Sequence, residues 1–347
     1  MIESLTIDNL RGIRSGAVDN LAAINVVVGP NNSGKSTVLE ALLLLVAIAD
    51  PGRVLQALLA RGGEPLVAIR QIAGDASKAV RVTARLSSPT TRELLTSIDF
   101  PTVRTPHILA EARAQGMEEP FSEIYVYSEL KPSGGQCRLG MALSKDGHFT
   151  VPSLLAGQRP ALPNVGLVAL LAPRDLETEI SRIGNVGGLK DLTRALAVSL
   201  PGLADLRIQK LGERFVTHAF VEGKEPIPAY LLGDGAKRLI EIAAMVFAKP
   251  DTTILLEEPE AFQHPRYLRE IVNMIGTFAE RGAQYVLTTH SIELIDALLD
   301  EVQSRGDKAP SLAVHRTRLL DGELKATTLD AATARRLRSD LLEDLRG

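Results

Sequence analysis

The sequence predicts an α/β fold. Short β-branched runs that stop at turn residues alternate with longer amphipathic stretches. One of those runs, Ile24-Asn25-Val26-Val27-Val28, passes through a glycine-rich loop directly into a helix. Another, Ile254-Leu255-Leu256, is apolar throughout and so reads as a strand buried on both faces. Helices alternating with such strands indicate an α/β core with a mostly parallel sheet.

Along the chain, Ser4-Leu5-Thr6-Ile7 alternates like a strand, and a second short strand is expected over Ile13–Val18. From Lys35 the pattern turns helical, with Val38, Leu39, Leu42, Leu45 and Val46 on one face. Ala79–Leu86, Glu123–Leu130 and Gln136–Leu143 read as strands, with turns at Ser133-Gly134-Gly135 and Asp146-Gly147. Arg92–Ser97 and Ile108–Ala114 read as short helices. Further on, Phe215–Val221, Thr253–Leu256 and Gln284–Thr288 read as strands. Lys237–Ala248, Arg266–Glu280 and Ser291–Leu299 read as helices, the second with Leu268, Ile271, Val272, Ile275 and Phe278 inward. Leu312–Arg318 and Glu323–Leu329 form a hairpin around Asp321-Gly322.

The 347 residues are 45% hydrophobic and 23% charged, enough for one large core or two smaller ones. A net charge of −3 means that any nucleic-acid contact must use a local patch. Cys137 is the single cysteine, which excludes an internal disulfide framework and a cysteine-based zinc site. There is no Trp and aromatics make up 4%, so a large stacking platform for single strands is not expected. Met1–Asp8 alternates and carries acids, unlike a signal peptide. The longest apolar run, Ala41 to Ala49, falls far short of the roughly 20 residues that span a bilayer. A cytoplasmic protein without a membrane partner is expected.

Gly29-Pro30-Asn31-Asn32-Ser33-Gly34-Lys35-Ser36 matches G-x-x-x-x-G-K-[ST], with the strand before it and the helix after it that the motif requires. Backbone N–H groups of such a loop surround phosphates, and its glycines allow close approach. Lys35 would reach the β- and γ-phosphates and Ser36 would ligate Mg²⁺. Glu257 and Glu258 end the apolar strand. Beside a phosphate loop the first would hold the metal shell and the second would polarise the attacking water; in isolation the pair would read as a solvated acidic loop. His290 ends the next buried strand, Tyr285–Thr288, where it can face the γ-phosphate or serve packing. Gly233-Asp234-Gly235 reads by itself as a helix-starting turn with Asp as cap. His107, His148, His218 and His315 carry no pattern.

Taken together, Asn9-Leu10-Arg11-Gly12, Gly29–Thr37, Leu232–Arg238, Glu257–Glu260 with His264-Pro265, and Thr289-His290-Ser291 resemble the ABC-type P-loop ATPases. The branch most resembled contains RecF, the structural-maintenance-of-chromosomes (SMC) proteins and the overcoming-lysogenisation-defect (OLD) nucleases. The resemblance implies an α/β ABC-ATPase head with a mixed sheet, N-terminal antiparallel strands and a β-rich, partly helical insertion. It divides the chain into an N-terminal lobe (1–86), an insertion (87–165) and a C-terminal lobe (166–347).

The resemblance also implies ATP hydrolysis with Mg²⁺ at a site shared by two head-to-tail subunits. Gly29, Asn31, Asn32, Ser33, Gly34, Lys35, Ser36 and Thr37 would bind nucleotide, with Arg11 near its base and ribose. Lys35, Glu258 and His290 would be catalytic, and Ser36 and Glu257 would hold the metal. Gly233, Asp234, Gly235 and Lys237 would form the signature that meets the γ-phosphate in trans. Gly233 stands where that signature usually has Ser, and Glu257 where most ABC ATPases have Asp; Glu-Glu-Pro-Glu favours the OLD branch. The magnesium-sensing glutamine is not assignable, with Gln71 a candidate.

The 57 residues after His290 are too few for a toprim nuclease domain, so a stand-alone head is expected. It would act as a switch on DNA or on a separately encoded effector such as a nuclease, in phage defence or DNA repair. A RecF-like DNA clamp would have to use Arg335, Arg336, Arg338 and Arg104. A small-molecule kinase or GTPase is the third class. It is disfavoured by the 222-residue gap from Lys35 to Glu257 and by the absence of Asn-Lys-x-Asp.

Overall fold

The structure is a computed structural model that describes residues 1–59, 64–88, 93–101, 106–117, 121–132, 135–150, 153–158, 165–168, 176–248, 252–261 and 264–346. The chain opens with strands β1 (Ile2–Leu10), β2 (Ile13–Asp19) and β3 (Ile24–Val28), followed by helices α1 (Lys35–Leu44), α2 (Pro51–Leu59) and α3 (Pro65–Arg70). Then come β4 (Val80–Leu86), β5 (Glu93–Asp99), α4 (Pro106–Ala114), β6 (Phe121–Lys131), β7 (Gly135–Ser144), β8 (Ser153–Gly157) and β9 (Val165–Val168). Helices α5 (Leu176–Asn185) and α6 (Leu189–Ala197) lead to β10 (Leu203–Leu211), β11 (Arg214–Val221) and β12 (Ile227–Pro228). The last part contains α7 (Asp234–Ala248), β13 (Thr253–Glu257), α8 (Pro265–Ala279), β14 (Gln284–Thr288) and α9 (Ile292–Ser304). It finishes with β15 (Leu312–Leu320), β16 (Glu323–Asp330) and α10 (Ala331–Ser339).

Among the described residues, thirteen strands form one sheet in the order β8-β7-β6-β5-β4-β1-β2-β16-β15-β3-β14-β13-β9. The strands β9, β13, β14, β3 and β15 are parallel. Beyond them β16 turns back on β15, β2 lies parallel to β16, and every pairing from β2 to β8 is antiparallel. The parallel expectation therefore holds for the core alone, and the whole sheet is mixed. A separate three-stranded sheet, β10-β11-β12, packs with α5 and α6.

The central strands are buried on both faces because helices cover both. Ile24, Val26 and Val28 of β3 point into one hydrophobic core, with Ile254, Leu256, Tyr285, Leu287 and the inner faces of α7, α8 and α9. Val27, Leu255 and Val286 point into a second core, with α1, α2 and the antiparallel strands. Two buried amides tie the layers together. Asn25 donates to the carbonyls of Ala22 and Tyr285. Gln284 accepts from the Ile2 amide and donates to the Ile2 carbonyl, which fastens β1 to the start of β14.

Three expectations change. Residues 93–99 form a strand, not a helix: β5 is hydrogen-bonded between β4 and β6, and Leu94, Thr96 and Ile98 alternate inward. Cross-strand pairing on both sides overrides the helical leaning of Glu93-Leu94-Leu95. Arg92 itself lies outside the described residues, as do Ser133 and Gly134 of the expected turn. Helix α1 is not one-sided: Glu40, Ala41, Leu43 and Leu44 are buried along with Val38, Leu39 and Leu42. It ends at Leu44, so Leu45 and Val46 belong to the turns that follow. Helix α7 begins at Asp234, three residues earlier than expected. Asp234 is thus a first-turn acid facing the helix dipole, not the cap. The Asp321-Gly322 hairpin is as expected, with both residues at positive φ between Leu320 and Glu323.

Candidate functional site

The loop after β3 is shaped by close packing. A Cβ on Gly29 would lie 2.4 Å from the Thr317 carbonyl oxygen and 2.6 Å from Ser33 Oγ, so no other residue fits. Ser33 Oγ lies 3.0 Å from Thr317 Oγ1, which donates to the Val28 carbonyl. The loop is thereby pinned to β15. Asn31 and Asn32 are exposed, and Asn32 and Gly34 take positive φ to turn the chain into α1. Gly34 caps α1 without a side chain, so no side-chain oxygen competes for the first-turn amides. Ser36 and Thr37 are half-buried in that first turn. Lys35 is 7% exposed, and its Nζ folds back to the carbonyls of Gly29 (2.9 Å) and Pro30 (2.8 Å). Burial lowers its pKa, and the nearby charge of Glu258 works against that shift.

Strand register brings the other groups to the same edge. Glu257 pairs with Thr288, and Thr288 pairs with Val27, one residue before β3 ends. The phosphate loop, the acidic pair and the histidine therefore leave adjacent parallel strands at one level, the crevice where open α/β sheets hold ligands. Glu257 is buried. Glu258 sits at φ 44, a left-handed backbone that costs a Glu about 1–3 kcal/mol. Its N–H donates to the Thr288 carbonyl, and its Oε1 lies 4.0 Å from His290 Nε2, both side chains being about two-fifths exposed.

Glu260 fixes the segment that carries His290. Its Oε1 accepts from Thr289 Oγ1 at 2.5 Å and from the His290 N–H at 3.1 Å. Arg238, on α7, is buried and donates from Nη2 to the Glu257 carbonyl. Burial pulls its pKa down to about 10, and the charges of Glu257, Glu260 and Glu258 oppose that, so it remains a cation at neutral pH.

The residues expected to form the signature lie elsewhere, at the start of α7. Gly233 and Asp234 are exposed, and Gly235 and Lys237 are half-buried. Among the described residues, a Cβ on Gly233 would meet nothing within 4 Å. Arg11 does not stand open over the loop. Its guanidinium donates to the Glu40 carboxylate and to the Leu58 carbonyl, which ties the β1–β2 turn to α1 and α2. Gln71 is exposed after α3, and His264 is exposed at the start of α8. Of the remaining histidines, His107 and His148 are exposed while His218 and His315 are buried. Sequence reasoning missed the roles of Arg238, Glu260 and Thr317. The first two stand inside quoted motifs, whereas Thr317 has no local signal because its partners are 284 and 289 residues away.

Residues 129–296 match the family model described as “AAA domain, putative AbiEii toxin, Type IV TA system”, and residues 1–59 match one described as “AAA ATPase domain”. An uncharacterized protein of Methanocaldococcus jannaschii is 31% identical over 118 residues, 33% of this chain and all of that one. An ATP/GTP phosphatase of Helicobacter pylori is 22% identical over 359 residues, 92% of this chain and 91% of that one. Among solved structures, an SMC head bound to the C-terminal winged-helix domain of ScpA shares the fold. The TM-score is 0.54 at 13% identity, covering 96% of this chain and 99% of that one. No described helix is long and apolar enough to cross a membrane.

Proposed function

We propose that this P-loop ATPase is of the SMC/RecF/ABC-like kind and works as an ATP-driven dimerising switch of the OLD type that acts on a separately encoded effector. The observation that carries the reading is the meeting of Lys35, Glu258 and His290 at one sheet edge while Gly233 lies in open space. Among the described residues, nothing requires a glycine at 233. A helix start that is small and exposed suits the γ-phosphate of a second subunit.

In this reading the first-turn amides of α1 and the Lys35 ammonium hold the phosphates, the ammonium leaving the Gly29 and Pro30 carbonyls for phosphate oxygens. The Glu258 carboxylate takes a proton from the attacking water, and His290 faces the γ-phosphate. Ser36 and Glu257 offer hydroxyl and carboxylate oxygens, hard donors that suit Mg²⁺. The ion, when bound, would draw charge off the phosphate oxygens. Residues 1–86 and 166–347 are the two lobes of the head, and 87–165 the insertion between them.

Acting on a separate effector is favoured over clamping DNA. Arg335 pairs with Asp300 and Arg338 with Asp296, so most of the C-terminal basic cluster is neutralised within the chain. Arg104 lies outside the described residues. The match to a family described by a toxin of a type IV system supports a defence setting. The test is to size the Glu258→Gln protein with and without ATP. A shift to a dimer with ATP alone is expected, and an unchanged monomer in both overturns the switch. A pull-down with the same protein and ATP then identifies the effector.

A further inference from the structure

The peptide of His290 is held from both sides. Its N–H donates to Glu260, within the acidic motif, and its carbonyl accepts from Arg346 Nη1 at 2.9 Å, 56 residues further along the chain. We propose that Arg346 is a positioning residue for ATP hydrolysis, holding the His290 main chain so that the imidazole keeps its place beside Glu258. The inference rests on reading His290 as the residue that faces the γ-phosphate.

The geometry of Arg346 is set before it reaches His290. Its Nε and Nη2 donate to the two oxygens of Asp344 at 2.9 and 2.7 Å, a two-point pairing that fixes the guanidinium plane and leaves Nη1 for the carbonyl. Those hydrogen bonds hold the Asp344 carboxyl down at about 2, so the pair stays ionised through the neutral range.

A half-exposed Arg–Asp pair alone contributes little. This one is mounted on an anchored segment. Leu342 at φ 51 turns the chain back after α10. Glu343 accepts from Arg316 through its carboxylate and from Arg338 Nη1 through its carbonyl. Arg338 in turn grips both oxygens of Asp296 on α9, and the Leu345 side chain is wholly buried in the core. On the other side of His290, Ser291 caps α9 by accepting from the Leu294 N–H. The restraint from Arg346 thus links the histidine to α9, α10 and β15 together.

The test measures kcat, KM for ATP and thermal melting for Arg346→Ala, Arg346→Lys, His290→Ala and the Arg346→Ala/His290→Ala double variant. Arg346→Ala is expected to lower kcat about five- to twentyfold with KM within about twofold, the pattern of a lost transition-state placement. Arg346→Lys is expected to recover part of the loss, since an ammonium can still donate to the carbonyl. The double variant is expected to be no slower than His290→Ala, because the two act through one group. Wild-type kcat in Arg346→Ala beside a slow His290→Ala overturns the inference and leaves the reading of His290 standing. Wild-type kcat in His290→Ala overturns both. A double variant slower than His290→Ala by the full Arg346→Ala factor overturns the positioning role. Should Arg346→Ala fail to fold, Asp344→Asn, which loosens the guanidinium, must show the same kcat loss in smaller degree; unchanged kcat there counts against the inference.

Discussion

From β9 through β15 the strands run parallel, and the chain leaves β3, β13 and β14 directly into the phosphate loop, the acidic pair and His290. From β2 through β8 the strands run antiparallel, and their described ends bring together no comparable group. The difference lies in strand direction. Parallel strands deliver all their C-terminal ends to one edge, so three short loops from distant parts of the chain converge on a crevice. Antiparallel strands send successive ends to opposite edges. They extend the sheet and add core, and in the proposed function they leave chemistry to the other half.

Substitutions at the parallel edge should therefore affect turnover, and substitutions in the antiparallel half should affect stability. The largest effects are expected at the edge. Lys35→Ala should weaken phosphate binding and hydrolysis together. Glu258→Gln should leave ATP binding intact and slow hydrolysis about 10²-fold or more, as loss of a catalytic base does. Equilibrium nucleotide binding and phosphate release, measured side by side, separate the two. Normal hydrolysis by Glu258→Gln would show that the convergence of loops is not the catalytic centre.

The reverse is expected of Leu139→Ala in β7, whose side chain is fully buried in the second core. Removing it should lower stability by about 2–3 kcal/mol, by the lost transfer energy and the residual cavity. Denaturant melts check this, and kcat per folded molecule should stay within about twofold. A large loss of kcat at unchanged stability would mean that the antiparallel half takes part in the chemistry after all.

The parallel edge was also the more legible half in the sequence, for a physical reason. A phosphate loop, an acidic strand end and a histidine after a buried strand are each local patterns, and register alone brings them together. Most strands of the antiparallel half are legible from their alternation and turns, but β5 is not. Glu93-Leu94-Leu95 leans helical, and only pairing with β4 and β6 makes it a strand. Arg11 shows the other limit. Its motif was visible, but its partners Glu40 and the Leu58 carbonyl depend on how α1 and α2 pack against β1. Glu260 belongs to the acidic motif, yet its hold on the His290 N–H needs a hydrogen bond across 30 residues.

The smallest expected effect probes the seam between the two halves. Thr317 lies on β15, the last strand of the parallel set, whose hairpin partner β16 pairs with β2. Its hydroxyl donates to the Val28 carbonyl and meets Ser33 Oγ, so it sets the phosphate loop from the side facing the antiparallel strands. Thr317→Val keeps the shape and removes both contacts. Losing a hydrogen bond at a buried loop costs about 1 kcal/mol, roughly a fivefold factor in an equilibrium constant. With the loop binding phosphate before and during the reaction alike, as proposed, the change should appear mainly in KM for ATP, with kcat little altered. An equal fall in kcat with KM unchanged would instead mean that the seam shapes the transition state, and that the division between a chemical half and a supporting half is drawn one strand too early.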